Sequence, residues 1–97
     1  ADLSNSILTG ADLSNAILIN ANLSNAALEN TNLLDANLDS ANLTSADLRN
    51  ALLADANLSN TILTDSDLTN AVFTGANLED AVLTTVILNC VGHPLCV

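Results

Sequence analysis

The chain has no Lys and only one Arg, Arg49, against eleven carboxylates, which leaves a formal net charge of −10 over 97 residues. A protein that binds nucleic acid directly neutralises phosphates with basic side chains, so this composition excludes direct DNA or RNA binding. An anionic membrane surface repels the chain for the same reason. No stretch approaches the roughly 20 consecutive apolar residues that span a bilayer, so membrane insertion is not expected. Trp, Tyr and Met are absent, and Phe73 is the only aromatic residue. An ordinary core mixes shapes to fill irregular space. Without those shapes, a core drawn from Ala, Leu, Ile and Val points to a lattice of identical sites.

Catalytic furniture is equally sparse. The only His is His93, close to the C-terminus, and the three glycines, Gly10, Gly75 and Gly92, form no phosphate-binding loop. A Ser-His-Asp site needs its imidazole oriented by a scaffold, and His93 has none in the sequence. Paired acids such as Asp65 with Asp67, or Glu79 with Asp80, match glycosidase carboxylates in residue type alone. No enzyme activity and no cofactor are expected. Basic proteins or cations are the partners that the charge suggests, although net charge also serves solubility.

What is present is a period of five. Leu recurs at 3, 8, 13 and every fifth position through Leu88, with Phe73 the one replacement. Two residues before it stands a small residue, Ala in thirteen of eighteen repeats, replaced by Ser6, Thr31, Thr61, Ser66 and Val86. The position just before Leu is Asp or Asn in ten repeats, and the two positions after it favour Ser or Thr, then Asn, Asp, Ser or Gly. On an α-helix each step of five rotates Leu by about 140° and smears it round the cylinder. On a strand a step of five alternates faces. A chain that turns once per repeat, with Leu and Ala inward and backbone groups bonded to the coils above and below, satisfies the pattern.

These repeats resemble the pentapeptide-repeat family, whose consensus is A(D/N)LXX, over residues 1–89. The resemblance implies an all-β fold, a right-handed quadrilateral β-helix with four repeats per coil. Eighteen repeats then make about four and a half coils, and residues twenty apart stack. Asn37, Asn57 and Asn77 fall in one outer column, where amides are placed to ladder. Some members of the family imitate DNA in shape and charge and protect type II topoisomerases. Asp47, Asp67 and Glu29 form the candidate acidic face for such a role, but the acids as a whole spread over all four sides.

Outward apolar residues break the consensus. Stacking places Leu34, Leu52, Ala54 and Val72 on one side, and Ile17 with Ile19 on another, as a candidate interaction patch. The leading reading is a non-catalytic scaffold or protein-interaction module with an unknown protein partner, and the DNA mimic is the alternative. The first repeat enters in full phase without a cap, so either a preceding segment or a second subunit is expected over that end.

At residues 90–97 the phase breaks, and Gly92 and Pro94 favour a reversal. The segment is expected to cap the last coil, with Leu95 and Val97 folded over it. Cys90, His93 and Cys96 offer three zinc ligands where a structural site usually takes four. A Cys90–Cys96 disulfide is favoured, with two reduced thiols as the alternative. A disulfide, together with a start at Ala1 rather than Met, favours an exported compartment, periplasm or thylakoid lumen, over cytoplasm.

Overall fold

In a computed structural model that describes residues 1–96, the chain is a right-handed quadrilateral β-helix. Parallel bridges join residues twenty apart, from Asp2 with Asn22 through Asp67 with Ile87. Four outward columns precede the inward Leu positions. The first face carries Asp2, Asn22, Asn42, Ile62 and Val82, and the second Ile7, Ala27, Asp47, Asp67 and Ile87. The third carries Asp12, Asn32, Leu52, Val72 and Val91, and the fourth Ile17, Asn37, Asn57 and Asn77. The body measures 30 × 24 × 21 Å, a squat block rather than a long rod.

Each repeat turns because of its fifth residue. From residue 5 to residue 85 every fifth position has φ between 55° and 74°, the left-handed region. A hydrogen bond commonly closes the corner, as where Ala46 N–H donates to Leu43 C=O at 3.0 Å. Positive φ at the third residue of such a turn is the type II pattern. Asn and Asp tolerate that region and fill most corners. Thr85, at φ 55°, is β-branched and is the most strained of them.

Between corners, the amide of each inward Leu from Leu3 to Leu68 donates to a carbonyl nineteen residues on, as from Leu43 to Ile62 at 2.7 Å. The residue before it donates back to the preceding coil, as from Asn42 to Ala21 at 2.9 Å. Leu23 through Leu68, together with Phe73, fill the interior and are buried. Hydroxyls that replace Ala bond internally: Thr31, Thr61 and Ser66 each donate to the carbonyl three residues earlier at 2.7 Å. The end coils are different, with Leu3, Leu8, Leu13 and Leu18, and Leu78, Leu83 and Leu88, only half-buried.

The last coil is one residue short. Val72 bridges Val91 rather than residue 92. After Leu88 a three-residue turn, closed by Cys90 N–H to Leu88 C=O at 2.6 Å, replaces the usual four-residue one. Cys90 thereby takes the inward small position, and Gly92, not His93, takes the place of the next Leu. Leu95 remains 39% exposed, so it does not fold over the core as expected. Val97 lies outside the described residues.

Candidate interaction surface

The Asp or Asn before Leu is not merely an outward polar residue. In all ten repeats that carry it, its Oδ1 accepts the N–H two residues on, at 3.0–3.2 Å. That is an Asx turn, bridging outside the inward Leu. In six of the ten a Ser or Thr hydroxyl, as in Ser24 and Thr44, donates to the same oxygen at 2.6–2.8 Å. Replacing Asn42 with Ala removes the acceptor for both groups of Thr44, and we expect a loss of about 1 kcal/mol. Asn42→Asp keeps the acceptor and should remain within about 0.5 kcal/mol of the parent. Denaturant titration of the two variants checks this, and equal losses would mean that the Asx bond is not what the position provides.

The Asx turns explain much of where the acids sit. Asp2, Asp12, Asp47 and Asp67 are Asx acceptors, and Asp35, Asp55, Asp65 and Asp80 occupy left-handed corners. Ser4 and Ser14 lower the carboxyl pKa of Asp2 and Asp12 through hydroxyl and amide bonds. Asn60 and then Ser40 do the same for Asp39. These carboxylates stay ionised at neutral pH and are spread over three different faces.

The second face brings Asp47 beside Asp67 in the ladder, with Glu29 in the neighbouring column. Arg49 sits between them. Its Nε bonds Asp47 at 2.8 and 3.0 Å, its Nη2 reaches Asp47 at 2.6 Å, and Glu29 lies at 3.5 Å. Arg49 holds the Asp47 carboxyl below its ordinary value, and Asp47 in turn raises the guanidinium. The face singled out as acidic therefore holds the chain's one basic residue.

The third face is apolar toward the C-terminal end. Leu52, Val72 and Val91 follow one another in the ladder at steps of about 4.8 Å. Leu34 and Ala54 occupy the next column, in register through Asn15 N–H to Leu34 C=O and Asp35 N–H to Ala54 C=O. Leu52 is 46% exposed and Val91 56%, and Leu34 is also exposed. Val91 extends the patch through the one-residue shortening of the last coil. Asp12, Asp35 and Asp55 lie on the same side. Ile17 and Ile19 lie apart on the fourth face, close to the N-terminal end, at 79% and 45% exposure. The structure thus joins Leu34, Leu52, Ala54 and Val72, and leaves Ile17 and Ile19 separate from them.

Of the expected amide ladder, Asn57 donates to Asn37 at 3.3 Å. Cys90 and Cys96 are joined, with their Cα atoms 4.9 Å apart. His93 Nδ1 accepts the Leu95 N–H at 3.1 Å. Among the described residues no pocket opens on the surface, and no cluster of His, Cys, Asp or Glu is arranged to hold a metal. No helix among them is long and apolar enough to cross a membrane.

A β-helix of this geometry, with left-handed corners and an inward Leu lattice, defines a class of repeat scaffold. The family model for pentapeptide repeats matches residues 1–33, 16–53 and 51–89, and the chain belongs to that family. Similar solved structures include a pentapeptide repeat protein from the thylakoid lumen of Arabidopsis thaliana, at 31% identity and a TM-score of 0.84 over 88% of this chain. A pentapeptide repeat protein from the cyanobacterium Nostoc is 38% identical, with a TM-score of 0.75 over 81%. HetL, also from Nostoc and involved in heterocyst differentiation regulation, is 38% identical, with a TM-score of 0.64 over 90%. The chain spans 59%, 77% and 38% of those three proteins respectively. No curated protein sequence matches it significantly.

Proposed function

We propose that this protein is a non-catalytic scaffold that binds a protein partner through the apolar patch of its third face. The observation that carries the reading is the content of that column. Leu52 and Val72 forgo the Asx bond made by the ten Asp or Asn repeats, and Leu52 gains little burial in exchange. A contiguous exposed apolar patch is a general mark of interaction sites. The carboxylates of Asp12, Asp35 and Asp55 favour a partner with basic residues around an apolar centre. In this reading residues 90–97 cap the last coil. Its disulfide, and the lumenal origin of the Arabidopsis neighbour, favour an exported compartment.

Affinity capture from host extract tests the role. Leu34→Ser with Leu52→Asn should lose a partner that the parent retains, while Ile17→Asn should keep it. A partner retained equally by all three would remove the third face from the account.

The DNA-mimic alternative draws on the net charge of −10. Its weak point is the second face, where Arg49 offsets part of the charge of Glu29, Asp47 and Asp67. A mimic inhibits a gyrase-type enzyme through charge pairs, so inhibition must fall steeply with salt. We expect no inhibition of supercoiling at micromolar protein in low salt. Steeply salt-dependent inhibition, reduced by neutralising Asp47 and Asp67, would establish the mimic instead.

A further inference from the structure

The apolar residues of the third face form a strip that runs with the axis of the coil. Leu52, Val72 and Val91 occupy three successive rungs of one column, and Leu34 and Ala54 two rungs of the next. The two long borders of the strip differ. Asp35 and Asp55 directly follow Leu34 and Ala54 and fill left-handed corners along one border. Asn30, Asn50 and Asn70 fill the corners along the other, and all five of these residues are exposed. Arg49 stands beside Asn50, but its guanidinium is bonded to Asp47 on the second face. The strip is therefore acidic on one side and neutral on the other, with Asp12 at the head of the Leu52 column.

Backbone pairing is closed to a partner here. Leu52 N–H donates to Thr31 C=O at 2.9 Å, and Leu52 C=O accepts from Leu33 N–H at 2.7 Å. Val72 pairs in the same way with Ala51 and Leu53, at 2.9 and 2.8 Å. A strand cannot add itself to this face through hydrogen bonds, so a partner engages side chains, and spacing decides its form. The rungs are about 4.8 Å apart. An α-helix laid along the axis advances about 5.4 Å per turn, and over two rungs it drifts by about 1.2 Å. A strand laid the same way presents one face every about 6.7 Å and drifts by about 3.8 Å, most of a rung. A sheet with its strands along the rungs matches the spacing. Each rung offers it two outward residues, so a strand of ordinary length overhangs both borders.

We propose that the third face takes an amphipathic α-helix of a second protein, laid along the coil axis. Its Leu, Ile or Val side chains, at i, i+3 or i+4, and i+7, cover the strip. Lys or Arg lines the flank that lies over Asp35 and Asp55. The one-sided charge also sets the direction of the helix, because reversing it carries the basic flank over to Asn30, Asn50 and Asn70. The proposal rests on the reading of the third face as the partner site, and adds the form of the partner.

NMR shifts of the full chain, titrated with synthetic peptides, test it. One peptide of about 15 residues forms a helix with Leu at i, i+4 and i+7 and Arg along one flank. The other is a β-hairpin with the same Leu and Arg residues on one face. The helical peptide should shift Leu34, Leu52, Ala54 and Val72 together, and the hairpin should not. Asp35→Asn with Asp55→Asn suits the left-handed corners. This pair should weaken the helical peptide by about three- to tenfold in low salt. Asn50→Ser with Asn70→Ser should leave its affinity unchanged. No shift at the strip with the helical peptide overturns the proposal, and so does a hairpin that binds there equally or better. An affinity indifferent to the Asp35 and Asp55 changes overturns it too. The third face as partner site is judged separately, by capture with Leu34→Ser and Leu52→Asn, which involves no peptide.

Discussion

Leu43→Asp should abolish the cooperative unfolding transition and leave the chain largely unfolded or insoluble. Leu43 is fully buried in the middle of its column, between Leu23 and Leu63, and its amide donates to Ile62 C=O at 2.7 Å. Truncating a buried Leu to Ala costs about 2–5 kcal/mol. Asp adds a carboxylate with no cation in the interior, a further cost of several kcal/mol or a forced protonation. Total stability for a domain of this size is about 5–15 kcal/mol, so the substitution removes most or all of it. The site matters as much as the side chain. In a solenoid each coil rests only on its neighbours, and a defect in the middle separates the two halves. Glu79→Ala, on an exposed position after Leu78, should change stability by about 0.5 kcal/mol or less. Thermal and denaturant unfolding followed by circular dichroism distinguishes the two, and a normally folded Leu43→Asp protein would deny that the inward row is a core.

Gly92→Ala should loosen the last ladder step without disturbing the middle of the helix. Gly92 has φ 88°, and a Cβ there would sit 2.9 Å from Thr74 N and 3.2 Å from Thr74 Cα. Those are backbone atoms and cannot swing aside. The left-handed conformation alone costs a residue with a side chain about 1–3 kcal/mol, and the clash adds to it. The bonds at risk are Phe73 N–H to Val91 C=O at 2.8 Å and Val91 N–H to Ala71 C=O at 2.9 Å. Amide exchange at Phe73 and Val91 should accelerate by about ten- to a hundredfold, while Leu48 exchanges as before. Uniform acceleration along the chain would mean that the C-terminal segment is part of one cooperative unit, not a local closure.

Much of this architecture is legible because one side chain carries the period. Leu every fifth residue excludes helix and strand, and the family resemblance supplies four repeats per coil. The stacking of Asp47 with Asp67 and of Leu52 with Val72 follows from that register. What escaped is local. The Asx turns of Asn22 with Ser24 and Asn42 with Thr44 were visible as a two-residue spacing between an Asx side chain and a hydroxyl, yet they read as generic outward polarity. The shortened turn after Leu88 hides behind Gly92 and Pro94, because a one-residue deletion looks the same as the end of the repeat. Its signal is Cys90, a small residue two places after Leu88 where three is the rule. That shift is what brings Val91 into the apolar column and puts Gly92, not His93, in the Leu position. Arg49 stands two residues from Asp47 and shares its face, so its pairing was also within reach of the register.

The functional reading rests on the twenty-residue register, since that alone decides which outward residues become neighbours. Scalar couplings across hydrogen bonds, measured by NMR between amide nitrogens and carbonyl carbons, test it directly. The account predicts a correlation from each interior Leu amide to the carbonyl nineteen residues later, Leu33 to Leu52, Leu43 to Ile62 and Leu53 to Val72 among them. Correlations to the carbonyl four residues earlier, as in an α-helix, or to one fourteen residues later, as in a coil of three repeats, would contradict it and dissolve the third-face patch.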